Sequence, residues 1–575
     1  MKVGFGFKYI IYLGLILTIN LNTPRVFAQM PLFPQTQRPS QERPPLPEYE
    51  KPAPPPLTLP PAIQSPDDSD RLSARFRVFV RKFKLTGNTV FADGELAEIT
   101  KAYEGRVITS EELQEVRRKL TRLYVNAGYV NSGAVIPDQK VEKDIIHIQI
   151  IEGQLTKIEV EKNKWLSSKY IKKRLALGAQ PVLNTNQLRQ HLQLLQQNQM
   201  VKQLHTELGP GIKPGEGILE VRVKEEPPFE SGLIFANDCS PSVGAERGRI
   251  YLAHHSLTGW SDTLGVQYGL TEGEDEFSVF YTRPLNAYDT TLRLEYDKTD
   301  CAMIEEPFDD LDIESDLETY SISLTHPFYR TPQRVFSMGL ALDLRHSRTY
   351  LLGRPFSFSP GVQDGESDVT VLRFSQEWLD RSFDQVIAIR SIFSIGIDAM
   401  GATSGEEPDG QYLAWLGQFQ WARRFSNRGD QVILRTDLQL AEDSLLPMER
   451  ISVGGAKTVR GYRENQLVRD NALVTSLEFR IPVFRLPIPG ISRGFEEGMV
   501  QVAPFADFGW AWNTDLPTPD PDTISSVGLG VRWDPSPRIH CEIYWGLALR
   551  DFDNPDENLQ DSGIHFLVSW HFPFP

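Results

Sequence analysis

The chain has 575 residues, 42 glycines, 41 prolines and a formal net charge of −16. This length predicts two or more structural units, and the acidic balance excludes a nucleic-acid-binding protein, which needs clustered lysine and arginine. Cys239, Cys301 and Cys541 lie far apart with no CxxC pair, which argues against a zinc site or a disulfide framework.

The first 28 residues have the pattern of an export signal. Lys2 and Lys8 supply positive charge, an apolar run covers residues 9–21, and small residues at Val26 and Ala28 suit cleavage. The alternative is a membrane anchor, but the run is shorter than the roughly 20 residues that a spanning helix needs. We therefore predict a signal peptide over residues 1–28.

Residues 29–74 form a proline-rich linker, with stretches such as ERPPLPEYEKPAPPPLTLPP. Proline removes backbone donors and fixes φ, so this segment is predicted to be extended, disordered and unpacked. Two roles are open for it: a spacer, or a ligand for an aromatic groove of a partner.

Residues 75–153 are predicted to form a small α+β domain. A strand-like stretch ends at LTGNTVF, and a helix follows that opens with Thr109 and Glu112 in capping-box spacing and ends at Gly128. The stretch DIIHIQIIEG then alternates with a period of two. The order is strand, helix, helix, strand, strand.

Residues 154–227 read as a weaker copy of the same unit. LTKIEVEKN predicts a strand, SSKYIKKRLALG and NTNQLRQHLQLLQQ predict helices, and GILEVRVKEE predicts the last strand. The sequence therefore holds two consecutive α+β modules before its long C-terminal part.

Residues 228–575 lose helical periodicity and alternate apolar with polar residues in strands of about ten residues. In QVILRTDLQL, Leu434 and Leu438 share one face while Arg435, Asp437 and Gln439 share the other. A strand with lipid outside and water inside needs such a pattern. A soluble β-sandwich also alternates, but the repeat continues for too long for one sandwich.

The count of candidate strands in this region is sixteen, from GLIFAND to GIHFLVSWHF. Connections after even strands are mostly short, whereas those after odd strands include long segments at 297–316, 346–366 and 441–471. Short turns on one side and long loops on the other are typical of an outer-membrane barrel. The fold prediction is mainly β: a 16-stranded antiparallel transmembrane β-barrel preceded by two small α+β domains.

The last strand supports the barrel prediction. Phe566, Trp570 and Phe572 fall on one face, and an aromatic residue near the C-terminus is typical of such barrels. Here the chain continues past Phe572 by three residues.

Two motifs in the barrel region complete the pattern. Val459, Arg460, Gly461 and Tyr462 form VRGY in the loop after the eleventh strand, and FADFG occupies residues 505–509. Together with two α+β modules and sixteen strands, they resemble the outer-membrane transporter of a two-partner secretion system, of the TpsB or haemolysin secretion/activation type. The small modules resemble its POTRA domains.

The resemblance implies a site and a function. The VRGY loop would fold into the barrel lumen, where Arg460 would meet Asp507 of the wall motif, flanked by Phe505 and Gly509. The modules would receive an unfolded, TpsA-like exoprotein in the periplasm, and the barrel would conduct it to the cell surface. Outer-membrane lipid and the barrel-assembly machinery would be further partners.

Two other functions fit the sequence less well. An outer-membrane assembly or insertion factor of the same superfamily usually carries more modules, and a passive solute porin has no use for them. The adjacent His254 and His255 point to opposite faces of a strand and cannot readily share a metal. The sequence contains no H-E-x-x-H and no phosphate-binding motif. We predict no enzyme, metal or cofactor.

Overall fold

The structure is a computed structural model, and it describes residues 46–49, 77–179, 181–405, 407–426, 428–494, 497–552 and 558–573. The predicted signal peptide and the proline-rich linker, except residues 46–49, lie outside the described residues. Within the described part of the chain, no helix is long and apolar enough to cross a membrane.

The first module contains two helices and five strands. In chain order these are β1 Arg77–Val80, β2 Lys82–Thr86, α1 Asp93–Lys101, β3 Arg106–Thr109, α2 Ser110–Asn126, β4 Gly133–Val135 and β5 Ile145–Ile151. Strand β5 is central and pairs parallel with β2 and antiparallel with β4. The predicted first strand is divided at Arg81, because β1 turns away to pair with β3.

Helix α2 begins as its sequence predicts. The Thr109 side chain accepts a hydrogen bond from the Glu112 backbone amide, and the Glu112 carboxylate accepts one from the Thr109 amide at 2.8 Å. This reciprocal capping box satisfies two backbone donors at the helix start. The helix buries Val116, Leu120 and Tyr124 in the module core.

The second module repeats the order strand, helix, helix, strand, strand. Its elements are β6 Gln154–Glu161, α3 Ser168–Leu177, α4 Thr185–Gln196, β7 Val201–Pro210 and β8 Glu216–Glu225. Strand β8 is central, parallel to β6 and antiparallel to β7. Leucines at helical spacing on α4 (Leu188, Leu192 and Leu195) pack into the core with alternating residues of β8.

Sixteen long antiparallel strands form a closed barrel, which confirms the predicted fold. They are β9 Phe229–Ala236, β10 Arg247–His254, β11 Thr263–Leu270, β12 Glu274–Pro284, β13 Thr291–Ala302, β14 Ile313–Arg330, β15 Arg334–Leu351, β16 Glu366–Arg381, β17 Gln385–Ile397, β18 Leu413–Arg424, β19 Gln431–Ala441, β20 Asn471–Arg485, β21 Met499–Trp512, β22 Thr523–Ser536, β23 Ile539–Ala548 and β24 Ile564–Pro573. Strand β24 pairs with β9 and closes the barrel.

The alternation of each strand sorts its side chains between the outside and the lumen. On β23, Ile543 and Trp545 are about half exposed on the outer surface, while Tyr544 between them is buried on the lumen side. On β19, Asp437 and Gln439 are buried inside the barrel. An apolar exterior and a polar interior are what a lipid-embedded barrel requires.

Two loops are shorter than the sequence suggested. The connection between β13 and β14 covers residues 303–312 rather than 297–316, and that between β15 and β16 covers 352–365 rather than 346–366. Strands β14 and β15 have 18 residues each, more than the 9–11 that cross a bilayer. The polar outer parts of β14 and β15 are paired with each other. The sequence analysis assigned these polar residues to loops, and the predicted strand ends were therefore wrong.

Candidate functional site

The longest connection of the barrel, residues 442–470, folds into the lumen; we call it the inward loop. It contains a short hairpin in which Ile451–Val453 pairs with Leu467–Arg469. Its buried apolar side chains, including Val459 and Tyr462, pack against strands β20, β21 and β22. The loop is therefore a packed part of the barrel interior.

Arg460 lies at the centre of this loop and is buried against the wall. Its Nε and Nη2 atoms each donate to a different oxygen of Asp507, both at 2.8 Å, and its backbone amide donates to Asp507 at 3.0 Å. Nη1 donates to Glu478, and Nη2 also donates to Ser476 Oγ at 3.0 Å. A buried guanidinium needs this many acceptors, because an unpaired charge in the interior is costly.

Two aromatic rings of the wall contact the same guanidinium. Its central carbon lies 3.7 Å from the ring centre of Phe505 and 4.8 Å from that of Tyr544. A cation over an aromatic face is attracted by the ring quadrupole. Phe505 and Asp507, two residues apart on β21, thus face the lumen together and contact one arginine.

The two glycines of the motifs allow a close approach between loop and wall. Gly461 has φ of 92°, and an added Cβ would lie 2.9 Å from the backbone carbonyl of Gly546 on β23. At Gly509 an added Cβ would lie 2.4 Å from Val453 of the loop. A larger residue at either position would push the loop away from the wall.

Tyr462 connects the loop to the far side of the barrel, opposite the modules. Its hydroxyl donates to the Ser525 carbonyl at 2.9 Å and accepts from the Arg550 amide at 3.1 Å. Next to it, Arg463 pairs with Asp561 and Glu305 from two other far-side loops. The VRGY segment thus links several strands and loops around the barrel.

The predicted C-terminal residues lie elsewhere, at the closing seam. Phe566 packs against Phe235 of β9 with ring centres 5.3 Å apart, and Trp570 lies 4.3 Å from Phe572. These side chains lie where β24 pairs with β9, and they take no part in the lumenal site.

A second charged cluster holds the inward loop and was missed by the sequence analysis. Glu449 is 2% exposed and accepts hydrogen bonds from Arg345 of β15 at 2.6 Å and from Arg373 of β16 at 2.9 and 3.0 Å. Arg373 also pairs with Asp343. The sequence signals this cluster only through arginines at lumen-facing strand positions. These arginines do not reveal which loop carries the carboxylate that pairs with them.

The second module is docked on the barrel rim. Arg174 of α3, with a side chain 8% exposed, pairs with Asp289 in the turn between β12 and β13. The Ser167 amide donates to the Gly259 carbonyl at 2.8 Å. These contacts place module 2 beneath the turns that follow β10 and β12.

His255 is the rim residue that joins barrel and module. Its Nε2 lies 2.9 Å from Glu230, and its Nδ1 lies 2.9 Å from the Gln199 amide nitrogen of module 2. His254 instead packs between the rings of Trp165 and Phe229. The two histidines have separate environments and separate partners.

One part of the proline-rich linker also contacts the barrel. The Tyr49 hydroxyl donates to Gln431 at 2.9 Å, and the Arg424 guanidinium lies 3.8 Å from the Tyr49 ring centre. Arg424 and Gln431 are paired ends of β18 and β19 on the module side. Residues 46–49 therefore lie at the module-side mouth of the barrel.

Among the described residues, no group of three or more His, Cys, Asp or Glu side chains is arranged to hold a metal ion. The three cysteines are free thiols.

Comparison with known proteins gives matches over most of the chain. The profile of haemolysin secretion/activation proteins ShlB/FhaC/HecB matches residues 215–533, and that of ShlB-type POTRA domains matches residues 78–153. The outer membrane transporter CdiB of Dickeya dadantii (strain 3937) is 20% identical over 439 residues, covering 74% of this chain and 76% of that protein.

Two further comparisons agree with these matches. The hemolysin transporter protein ShlB of Serratia marcescens is 21% identical over 404 residues, covering 67% of this chain and 69% of that protein. The solved structure of CdiB from Escherichia coli has a TM-score of 0.66 at 20% identity, covering 89% of this chain and 94% of that chain. At this level of identity, the similarity to the solved structure shows a shared fold.

Proposed function

The chain belongs to the haemolysin secretion/activation protein family (ShlB/FhaC/HecB), and from this premise we propose that its barrel conducts an unfolded exoprotein from the periplasm to the cell surface. The protein is an outer-membrane transporter with its POTRA modules in the periplasm. The far side of the barrel is accordingly the extracellular side. The secreted partner is a large TpsA-like protein.

The observation that carries this proposal is the inward loop pinned to the lumen wall by Arg460. Arg460 holds this loop with five hydrogen bonds, and the loop occupies part of the lumen. A polypeptide channel does need an internal element that fills the lumen at rest and guides a chain in transit. The polar lumen face then solvates that chain.

The modules are proposed to receive the exoprotein through their sheet edges. Strands β2 and β4 of module 1 and strands β6 and β7 of module 2 are the outer strands of their sheets. An edge strand offers backbone donors and acceptors to an extended peptide without demanding one sequence. Module 2 is docked at the mouth of the barrel and would pass the client to the lumen.

Two other partners belong to the proposal. Outer-membrane lipid would cover the apolar belt that includes Ile543 and Trp545. The barrel-assembly machinery would insert the barrel itself through its last strand, which carries Phe566, Trp570 and Phe572. Activity as an assembly factor for other barrels is the main alternative in the same superfamily.

The proposal is tested by exoprotein secretion from cells that carry single variants of the lumenal pair. Arg460→Ala removes the counter-ion of the buried Asp507, and Asp507→Ala removes three of the five hydrogen bonds of Arg460; losing one partner of a buried ion pair costs about 3–5 kcal/mol, here of loop docking. We expect export to fall about tenfold or more while the barrel remains in the outer membrane. The double variant Arg460→Asp/Asp507→Arg should restore part of it.

Arg354→Ala is the matched control, since Arg354 is an exposed arginine of another extracellular loop. Barrel abundance and heat-modifiability are measured in every strain. Normal export by both single variants at parental abundance would contradict the proposal. A general loss of other outer-membrane proteins on depletion of this chain would favour the assembly-factor alternative.

A further inference from the structure

The inward loop is held at two separate places on the lumen wall. Arg460 fixes its central part to β20 and β21, through Glu478 and Asp507. Glu449 fixes its first part to β15 and β16, through Arg345 and Arg373. These wall regions lie five strands apart around a sixteen-stranded barrel. The loop thus reaches across the lumen between two anchors.

The segment around Glu449 also packs on the wall by apolar contacts. Residues 444–449, which we call the latch segment, contribute Leu445, Leu446 and Met448 to a small buried cluster. The cluster includes Val369 and Val371 of β16, Tyr412 just before β18, and Ala414 of β18. The latch segment therefore lies against the lumen face of β15, β16 and β18.

The two anchors differ in strength. Within the described residues, all three hydrogen bonds that Asp507 accepts come from Arg460, and two rings cover the same guanidinium. Release of Arg460 would strip Asp507 of its counter-ion. Release of Glu449 would take a carboxylate from Arg345 but leave Arg373 paired with Asp343 and bonded to Ser394. The Glu449 carboxylate accepts three hydrogen bonds, against five hydrogen bonds and two ring contacts at Arg460, and on that count it is the weaker anchor.

Both ends of the latch segment are bonded to the base of the loop. Arg450 donates to Asp470 at 3.1 Å, where the loop returns to β20. The Leu445 amide donates to the same carboxylate at 3.1 Å. These bonds hold residues 445 and 450 at the base of the loop, so a release of Glu449 would move the residues between them, 446–449.

We propose that Glu449 is the releasable latch of the channel, and that the exoprotein passes between the latch segment and strands β15–β18 while Arg460 keeps the rest of the loop docked. The inference rests on the proposed function for the identity of the passenger. Glu449 is a positioning residue: it acts by holding the latch segment, and its release uncovers a lumen face that presents Arg345 and Arg373. No exoprotein is needed to test the latch.

The test is single-channel conductance of the purified full-length barrel in planar lipid bilayers. Glu449→Gln keeps the shape of the side chain and removes its charge, so the open fraction is expected to rise about tenfold. Glu449→Asp should return toward the parent. Glu442→Gln is the matched control, because Glu442 is exposed on the same loop. An unchanged open fraction in Glu449→Gln would overturn the proposal.

A second measurement follows the segment itself. A thiol placed at the buried Leu446, in a chain with serine at Cys239, Cys301 and Cys541, is labelled on intact cells with a membrane-impermeant maleimide. We expect about tenfold faster labelling with Glu449→Gln than with Glu442→Gln. Equal rates would overturn the latch. If labelling and conductance rise but no variant affects secretion, the latch stands and the proposed function fails.

Discussion

At the scale of single residues, Glu152 of the first module anchors a loop as Arg460 does in the barrel. Its carboxylate accepts hydrogen bonds from the amides of Thr89 and Val90, at 2.7 and 2.9 Å, and from the Tyr124 hydroxyl at 2.9 Å. Burial opposes ionisation, but these bonds, including one from the Thr89 hydroxyl, hold the pKa of Glu152 below its ordinary value. Burial and the Glu152 carboxylate raise the pKa of Tyr124.

We predict that Glu152→Gln destabilises module 1 by about 1–2 kcal/mol at neutral pH, because a neutral amide cannot replace a carboxylate that accepts several bonds. A lowered folded pKa gives stability that is complete above about pH 5 and is lost as the pH falls through about 4 and below. The variant should lack this acid-dependent loss. The readout is the helical circular-dichroism signal of the full chain during thermal unfolding.

Glu98→Gln is the control for this prediction, since Glu98 is exposed on α1. An equal melting temperature for Glu152→Gln and the parent, at both pH 7 and pH 4, would show that the Glu152 carboxylate does not stabilise module 1.

Residue-scale features differ in how far the sequence predicts them. Arg460 and Asp507 stand in short motifs, and these motifs identify both residues. Glu449 and Glu478 are single carboxylates in ordinary stretches, and their burial depends on strands that are distant in sequence. Glu449 meets Arg345 across 104 residues, a pairing that only the closed barrel creates.

At the scale of elements, helix α3 joins module 2 to the barrel through Arg174. The guanidinium lies 3.7 Å from the ring centre of Tyr170 on its own helix and pairs with Asp289 of the barrel turn. Asp289 pairs with Arg330 as well, at the end of β14. This charged cluster at the rim contributes to the docking of module 2, together with the His255 contacts and the bond from Ser167 to Gly259.

We predict that Arg174→Ala loosens module 2 from the barrel by about 1–3 kcal/mol, since it removes a nearly buried cation while Asp289 keeps Arg330. Spin labels at the exposed Ile212 and Phe425, in the cysteine-free background, report the module-to-barrel distance. The distance distribution should broaden in Arg174→Ala. Arg189→Ala, which removes an exposed arginine of α4, should leave it narrow, and a narrow distribution in both would contradict the prediction.

Elements with strong local signals were predictable. The capping box of Thr109 and Glu112 gave the start of α2, and the alternation of Ile146, Ile148 and Ile150 gave β5. The ends of β13 to β16 were not predictable, because their polar outer parts resemble loops and are held by pairing with a neighbouring strand.

At the scale of the whole molecule, module 2, the barrel lumen and the extracellular loops follow one another along the barrel. Module 2 stands at the periplasmic mouth, the polar lumen follows, and the inward loop fills it on two anchors. The sequence predicted the sixteen strands and the family, since alternation and motifs are local. It did not predict the course of the inward loop across the lumen, which follows from closure of the barrel.

The measurement that tests the central claim most directly is site-specific photo-crosslinking during secretion. A photo-reactive residue is placed at Gln418, buried on the lumen face of β18, or at its neighbour Phe419 on the outer face. The exoprotein carries a folded C-terminal domain that stalls its transit. The account predicts crosslinks to the exoprotein from Gln418 and none from Phe419. Crosslinks from Phe419 alone, or from neither position while secretion proceeds, would contradict passage through the lumen.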